Sequence, residues 1–176
     1  MKKETKTGSN AMKDIAVEKI VLNIGTKPDP ELVKKARALL NQISGVKAVE
    51  AFTKKRIPGW GVRPGLALGT KVTLRGEKAR ELLTRLLEAV GFKLKERQFT
   101  ENGFSFGIKE YIDIKGVKYS PETGMIGLDV CVTLKRPGFR VKLRRLKANK
   151  VGKGQRITPQ DAIKFATEKL NIKVGE

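Results

Sequence analysis

The segment VEKIVLNI, Val17 to Ile24, alternates between two kinds of side chain along its length. Its regularly spaced apolar side chains are Ile20, Leu22 and Ile24. The alternate positions, which face the other way, are Lys19, Val21 and Asn23. Because the side chains of an extended chain point alternately to its two faces, this pattern predicts a β-strand with one buried face and one mixed outer face.

A helix is predicted directly after this strand. Asp29 is a typical N-cap residue, and Pro30 suits the first helical position. The apolar residues that follow recur at helical spacing until Gly45, a typical helix stop. Glu77 to Val90 shows the clearest helical stripe in the chain. A third helix is predicted from Thr158, whose side chain can cap it, to about residue 170.

Two more segments predict strands. Gly69 to Arg75 alternates, with Lys71, Thr73 and Arg75 on its outer face, and Ile126 to Leu134 is apolar at every second position. Val46 to Phe52 is a weak strand candidate. The glycine-punctuated segment from Phe92 to Tyr119 is predicted to be irregular, apart from a short strand-like YIDI.

Strands and helices mix without strict alternation, which predicts an α+β fold. We expect a largely antiparallel sheet with helices packed on one face and the other face open. At 176 residues one domain is expected. We place it at residues 14–176, after a basic N-terminal tail, residues 1–13, that is disordered until bound.

The charge of the chain is strongly positive and unevenly distributed. Lys and Arg number 38 against 18 Asp and Glu, a net charge of +20. Residues 1–88 carry 19 basic and 9 acidic side chains, residues 89–134 carry six of each, and residues 135–176 carry 13 and 3. The two basic ends predict two surfaces that face an anion.

The most basic segment, Lys135 to Arg156, reads KRPGFRVKLRRLKANKVGKGQR and contains no acid. Its ten basic residues are Lys135, Arg136, Arg140, Lys142, Arg144, Arg145, Lys147, Lys150, Lys153 and Arg156. Charges at this density repel one another, so we expect an anion to neutralise them. The matching polyanion is nucleic acid; the alternative is a solvated loop. We interpret residues 135–157 as a basic, RNA-binding insertion.

The predicted open sheet face carries the same chemistry. Lys19, Lys71 and Arg75 supply charge for phosphates, and Asn23 and Thr73 offer hydrogen bonds to sugar and base edges. A second candidate is the loop KKRIPGWGVRPG, Lys54 to Gly65, which its prolines and glycines keep out of regular structure. Trp60 is flanked in this loop by the basic residues Lys54, Lys55, Arg56 and Arg63. It could stack on an RNA base, or it could fold back to anchor the loop.

Other chemistries lack the residues they need. With no histidine, a histidine general base and the usual histidine-containing zinc sites are excluded. Cys131, the lone cysteine, is predicted to be a small packing residue, and it fits a reducing interior. Glu110, Asp113 and Asp129 lack the spacing of a magnesium motif. We therefore expect no catalytic site, cofactor or metal, and no apolar run is long enough for a transmembrane helix.

The order of several segments resembles a known family. In their order along the chain, five segments are similar to the universal large-subunit ribosomal protein number five. They are VEKIVLNIG, an Ile-Ser-Gly turn, PGLALGTKVTLRG, GFSFGIKEYIDI and GMIGLDVCVTLKRPGFRV. The similarity runs from about Asp14 to Val174. The RPGFRV sequence and the basic residues after it resemble the archaeal and eukaryotic form.

The resemblance implies a non-enzymatic protein of the cytoplasmic ribosome. It implies binding to 5S rRNA, through Asn23 and Thr73, and to the large-subunit rRNA. The implied protein partners are a neighbouring 5S-binding ribosomal protein and a small-subunit head protein across an inter-subunit bridge. The 54–65 loop would approach the P-site tRNA. The chain departs from the family pattern at Val46, often a glutamine, and at Thr26 and Lys27, where a second glycine is frequent.

Two other classes remain open on the residues alone. An RNA-processing enzyme would need a metal or acid–base constellation, and none is evident. A chromatin-type DNA-binding protein should bind duplex DNA as well as folded RNA. A catalytic assay with magnesium on structured RNA would separate the enzyme from a ribosomal protein, and competition between duplex DNA and folded RNA would separate the DNA-binding protein.

Overall fold

The computed structural model describes residues 10–117, 119–121 and 123–175. Its strands are β1 (Ala16–Gly25), β2 (Val49–Phe52), β3 (Ala67–Leu74), β4 (Lys93–Lys95), β5 (Phe99–Thr100), β6 (Gly103–Ile108), β7 (Leu128–Lys135) and β8 (Lys173–Gly175). Its α-helices are α1 (Pro30–Ser44), α2 (Glu77–Ala89), α3 (Arg140–Leu143) and α4 (Pro159–Leu170).

Six of the strands form one antiparallel sheet in the order β2-β3-β1-β7-β6-β5. The other two, β4 and β8, pair in parallel as a separate ribbon. Strand β1 lies inside the large sheet, between β3 and β7. The predicted α+β fold with a largely antiparallel sheet is confirmed.

The core lies between the inner face of the large sheet and helices α1, α2 and α4. Ile20, Leu22 and Ile24 on β1 are each at most 1% exposed, as the alternation predicts. The apolar stripe of α2 packs into the same core. Burial of these side chains is the main favourable term of folding, at about 1.5–3 kcal/mol for each large aliphatic residue.

The predicted helix ends are confirmed by their hydrogen bonds. The Asp29 carboxylate accepts from the Glu31 N–H at 2.9 Å, and Gly45 ends α1 with a φ of +63°, where glycine is not strained. At the start of α4, Thr158 and Asp161 form a reciprocal capping box.

The segment from Phe92 to Tyr119 is more regular than predicted, since it contains β4, β5 and β6. The apolar residues of GFSFGI in β6 alternate, and this signal was obscured by its glycines. Gly103 has no room for a side chain, because a Cβ at this position would clash with the Val132 carbonyl oxygen on β7. The predicted strand YIDI is wrong. Tyr111 and Ile114 are both buried, and this spacing of three suits the 3-10 turn Tyr111–Asp113.

The end of the predicted N-terminal tail is ordered. Residues 1–9 of that tail lie outside the described residues, while Ala11–Lys13 form a turn of 3-10 helix capped by the Asn10 side chain. The Gln155 amide donates to the Met12 carbonyl and, at 3.0 Å, to the Pro137 carbonyl. This part of the chain is therefore fastened to the basic segment. Among the described residues, no helix is long and apolar enough to cross a membrane.

Candidate nucleic-acid interface

The outer face of the large sheet is organised in rows across the strands. One row runs from Lys71 on β3 through Asn23 on β1 and Asp129 on β7 to Gly107 on β6. The next row contains Thr73, Val21, Cys131 and Ser105. Neighbours within a row have Cβ atoms about 4.5–5.5 Å apart. The predicted Asn23, Lys71 and Thr73 therefore lie side by side on two adjacent strands.

The side chains of this face are accessible in part or in full. Lys71, Thr73 and Arg75 are exposed, and Lys19 and Asn23 are half-buried. Arg75 is less available than the sequence predicts, because its guanidinium forms an ion pair with Glu18 at 3.3 Å. The charge is greatest on the β3 side of the face, and β6 contributes only Ser105 and Gly107.

The basic segment, residues 135–156, is partly structured. It contains α3 and the 3-10 turn Lys153–Gln155. Arginine side chains donate to backbone carbonyls within it: Arg144 to Lys147 at 2.7 Å, and Arg156 to Val151 at 3.4 Å. These two guanidinium groups therefore have backbone carbonyl oxygens as local acceptors, in a segment that contains no carboxylate. Nine of its ten predicted basic residues remain exposed, all except Arg136.

Arg136 is engaged inside the protein. Its side chain is only 11% exposed and donates to the Arg156 carbonyl at 3.2 Å and to the Asp161 carboxylate at 3.0 Å. Burial tends to raise the pKa of Asp161, but hydrogen bonds from Thr158 and the charge of Arg136 outweigh it, so the pKa lies below its ordinary value. The pair joins the basic segment to the start of α4.

The outer sheet face and the basic segment meet at a recess of about 750 Å³. The sheet contributes Lys19 and Thr133, and the basic segment contributes Lys142, Lys150 and Arg156. Glu18 and Glu101 also line it, so the surface there is mixed rather than uniformly positive. The structure thus joins the two predicted sites through Lys19 and Lys142, which are more than 100 residues apart in sequence.

The loop from Lys54 to Gly65 is more ordered than predicted. Ile57 and Val62 form an antiparallel bridge with reciprocal backbone hydrogen bonds of 3.0 and 3.1 Å, around the 3-10 turn Pro58–Trp60. The prediction that its prolines and glycines prevent a ladder is therefore wrong at this bridge. Val62 anchors the loop with 2% exposure.

The predicted contact residues of this loop all point to solvent. Trp60 is 74% exposed, and Lys54, Lys55, Arg56 and Arg63 are exposed as well. None of the four salt bridges among the described residues includes these basic side chains. Trp60 also borders an apolar recess of about 620 Å³ with Pro28, Val62 and Leu68. An exposed indole beside unpaired cations can stack on a base while the cations bind phosphates.

The sequence prediction missed part of the outer face. Arg97, Ser105 and Asp129 border a recess of about 530 Å³ that Asn23 also lines. The alternation of GFSFGI could have placed Ser105 on this face. Cys131, predicted to be a packing residue, is exposed beside them, because the alternation of β7 points it away from the core. Among the described residues, no three His, Cys, Asp or Glu side chains are grouped to hold a metal ion.

Comparison with known proteins identifies the family. The family model described as ribosomal protein L5 matches residues 10–63, and a second model, for the C-terminus of the same ribosomal protein family, matches residues 67–165. The large ribosomal subunit protein uL5 of Nanoarchaeum equitans is 49% identical over 164 residues, which are 93% of this chain and 97% of that protein. The protein of the same name from Sulfurisphaera tokodaii is 43% identical over 175 residues, 98% of each chain.

The chain is accordingly a structural protein of the large ribosomal subunit and not an enzyme. Within that class it belongs to the ribosomal protein L5 family. The family resemblance and the ribosomal location predicted from the sequence are confirmed.

Proposed function

We propose that this protein binds 5S rRNA through the outer face of its sheet and helps attach that RNA to the large-subunit rRNA. The observation that carries the proposal is the adjacency of Asn23, Lys71 and Thr73. Their strands pair in register, so an amide, a cation and a hydroxyl share one accessible surface. Such a combination can bind a phosphate and read a nearby base or sugar at once.

The basic segment extends this surface. Its nine exposed cations begin at Lys135, the last residue of β7, and three of them, Lys142, Lys150 and Arg156, border the recess that contains Lys19. An RNA helix bound on the sheet face can therefore continue onto the segment, or a second RNA can occupy it. We assign the large-subunit rRNA to the basic segment, since dense phosphate contacts need no base recognition.

The proposal is tested with Asn23→Ala and Thr73→Ala. Each should weaken binding to a 5S rRNA transcript by about 1–3 kcal/mol, the range for a good specific contact. Binding to an unrelated structured RNA of equal length should change less. Thermal melting should stay close to wild type, because neither side chain belongs to the buried core.

Matched controls are available on the helices. Gln42→Ala on α1 and Thr167→Ala on α4 remove exposed polar side chains away from the sheet's outer face. They should leave the affinity for both RNAs unchanged. Equal losses on both RNAs with Asn23→Ala or Thr73→Ala would show that these positions do not recognise 5S rRNA.

Three further contacts belong to the same proposal. The exposed Trp60 and the exposed cations around it suit the P-site tRNA, which is a mobile polyanion with accessible bases. Protein contacts with a neighbouring 5S-binding protein and with a small-subunit head protein complete the assignment. These two contacts are supported by the family membership.

A further inference from the structure

Asp129 is an acid on the outer face of the sheet, beside the residues that we propose contact RNA. Strand pairing places it directly opposite Asn23, and Asn23 is directly opposite Lys71. Asp129 is exposed, and none of the four salt bridges among the described residues includes it. A bare carboxylate repels phosphate, so its position next to a proposed RNA contact needs a different chemical explanation.

The surroundings of Asp129 form a recess and not a flat surface. Asn23, Arg97, Ser105 and Gly107 border it, and its volume is about 530 Å³. Gly107 keeps one side open: a Cβ there would lie 3.4 Å from Asp129 Oδ1. The recess therefore combines two acceptor oxygens, an amide, a hydroxyl and a guanidinium, with space for a planar group.

Guanine is the RNA base that matches this set of groups. Its Watson–Crick edge carries two adjacent donors, N1–H and the 2-amino group, which can both bind to one carboxylate. Adenine, cytosine and uracil each present a single donor group on that edge. Arg97 supplies a guanidinium plane of the kind on which unpaired bases stack. The hydroxyl of Ser105 can donate to the guanine carbonyl.

We propose that the recess around Asp129 binds an unpaired guanine of 5S rRNA, with the Asp129 carboxylate on its N1–H and 2-amino group. The proposal rests on the function proposed above, because it makes Asp129 the base-reading neighbour of Asn23. It names the base that the sheet face selects, whereas Lys71 and Lys19 contact phosphates.

The test is Asp129→Asn, which keeps the shape and removes the charge. A carboxylate that only repels phosphate predicts tighter binding to every RNA after this change. A carboxylate that reads guanine predicts roughly 5- to 150-fold weaker binding to a 5S rRNA transcript, the fold-change of one specific contact. Glu81→Gln on α2 is the matched control, since it removes one exposed negative charge away from the sheet's outer face.

A transcript in which inosine replaces guanine removes the 2-amino group. The wild-type protein should bind the inosine transcript more weakly than the guanine transcript. The Asp129→Asn variant should bind the two transcripts with nearly equal affinity, because both changes remove the same contact. Gly107→Ala is a second variant, which places a methyl group next to the Asp129 carboxylate and should also weaken 5S binding.

The outcomes separate this inference from the function on which it rests. Tighter binding with Asp129→Asn, or equal inosine losses in wild type and variant, overturns the guanine site. If Asn23→Ala and Thr73→Ala still lose 5S affinity in that case, the sheet face keeps its proposed function. If none of the outer-face variants changes 5S binding, the proposed function fails as well.

Discussion

Arg136 belongs to the basic segment, but its side chain binds to other residues of the protein. The Arg136 guanidinium is mostly buried and, paired with Asp161, holds the start of α4 against the basic segment. Breaking a pair of this kind leaves a buried donor without its acceptor, which is costly. The RNA contact predicted for Arg136 from composition stays a prediction.

The pH dependence of this pair can be measured with Asp161→Asn. The pKa of Asp161 is lowered in the folded state, so its contribution is fully present above the unfolded pKa of about 4 and is lost as the pH falls through the folded pKa. At pH 7 the variant should be less stable by about 1 kcal/mol, a modest value because 32% of the Asp161 side chain is exposed.

Urea unfolding of both proteins at pH 7 and below pH 4 checks this prediction. The difference between them should shrink as the pH falls, since only the wild type titrates at residue 161. Asp113→Asn, at an exposed carboxyl outside the salt bridges of the described residues, serves as the control. A difference that is constant with pH would contradict the role given to the charge.

At the scale of elements, the basic segment is a folded platform for exposed cations. Replacing Arg140, Arg144, Arg145 and Lys147 with alanine should weaken RNA binding and lower its salt dependence. Each lost phosphate contact reduces the slope of log affinity against log salt by about 0.7–0.9. Stability should change little, because all four side chains are exposed.

The control for this experiment is a fourfold variant on the helices. Lys34, Lys78, Arg80 and Lys164 are exposed cations of α1, α2 and α4, and their replacement by alanine removes the same charge. Titrations from low to moderate salt should give a reduced slope only for the basic segment. If both variants lower the slope equally, net charge and not the segment governs binding.

The Lys54–Gly65 loop allows a second prediction at this scale. Trp60→Ala should weaken retention of P-site tRNA on reconstituted ribosomes by up to about 1–3 kcal/mol, the value of one stacked aromatic, and leave 5S binding intact. A point substitution is better than deletion, because deletion would remove the buried Val62. Dissociation rates of tRNA give the measurement. Unchanged tRNA release with a loss of 5S affinity would assign Trp60 to 5S rRNA.

At the scale of the whole molecule, the sequence predicted the elements with strong periodicity. Strands β1 and β7 have long alternating patterns, and helices α1, α2 and α4 have long apolar stripes. Burial follows these patterns, and α1 and α4 also have side-chain N-caps. Short elements were missed. Strands β4 and β5 have three and two residues, too few for a period, and their stability comes from pairing with other segments.

The sequence predicted which residues belong to the candidate interface, but it did not predict how they are arranged next to one another. Alternation placed Asn23 and Thr73 on the outer face, but no local pattern could show that Asp129 faces Asn23, since register depends on which strands pair. Likewise, the burial of Arg136 depends on a carboxylate 25 positions away. Charge runs show that cations are abundant, and only the fold shows which of them have internal partners.

The central position of β1 has a consequence for biosynthesis. Its two neighbours are β3, which follows about forty residues later, and β7, which follows more than a hundred residues later. A nascent chain that has already paired β1 with β3 must therefore wait, with one edge of β1 open, until β7 leaves the ribosome. Open edges invite pairing with other chains. Lys19 on β1 and the net positive charge of the chain would make such intermediates repel one another while synthesis is completed.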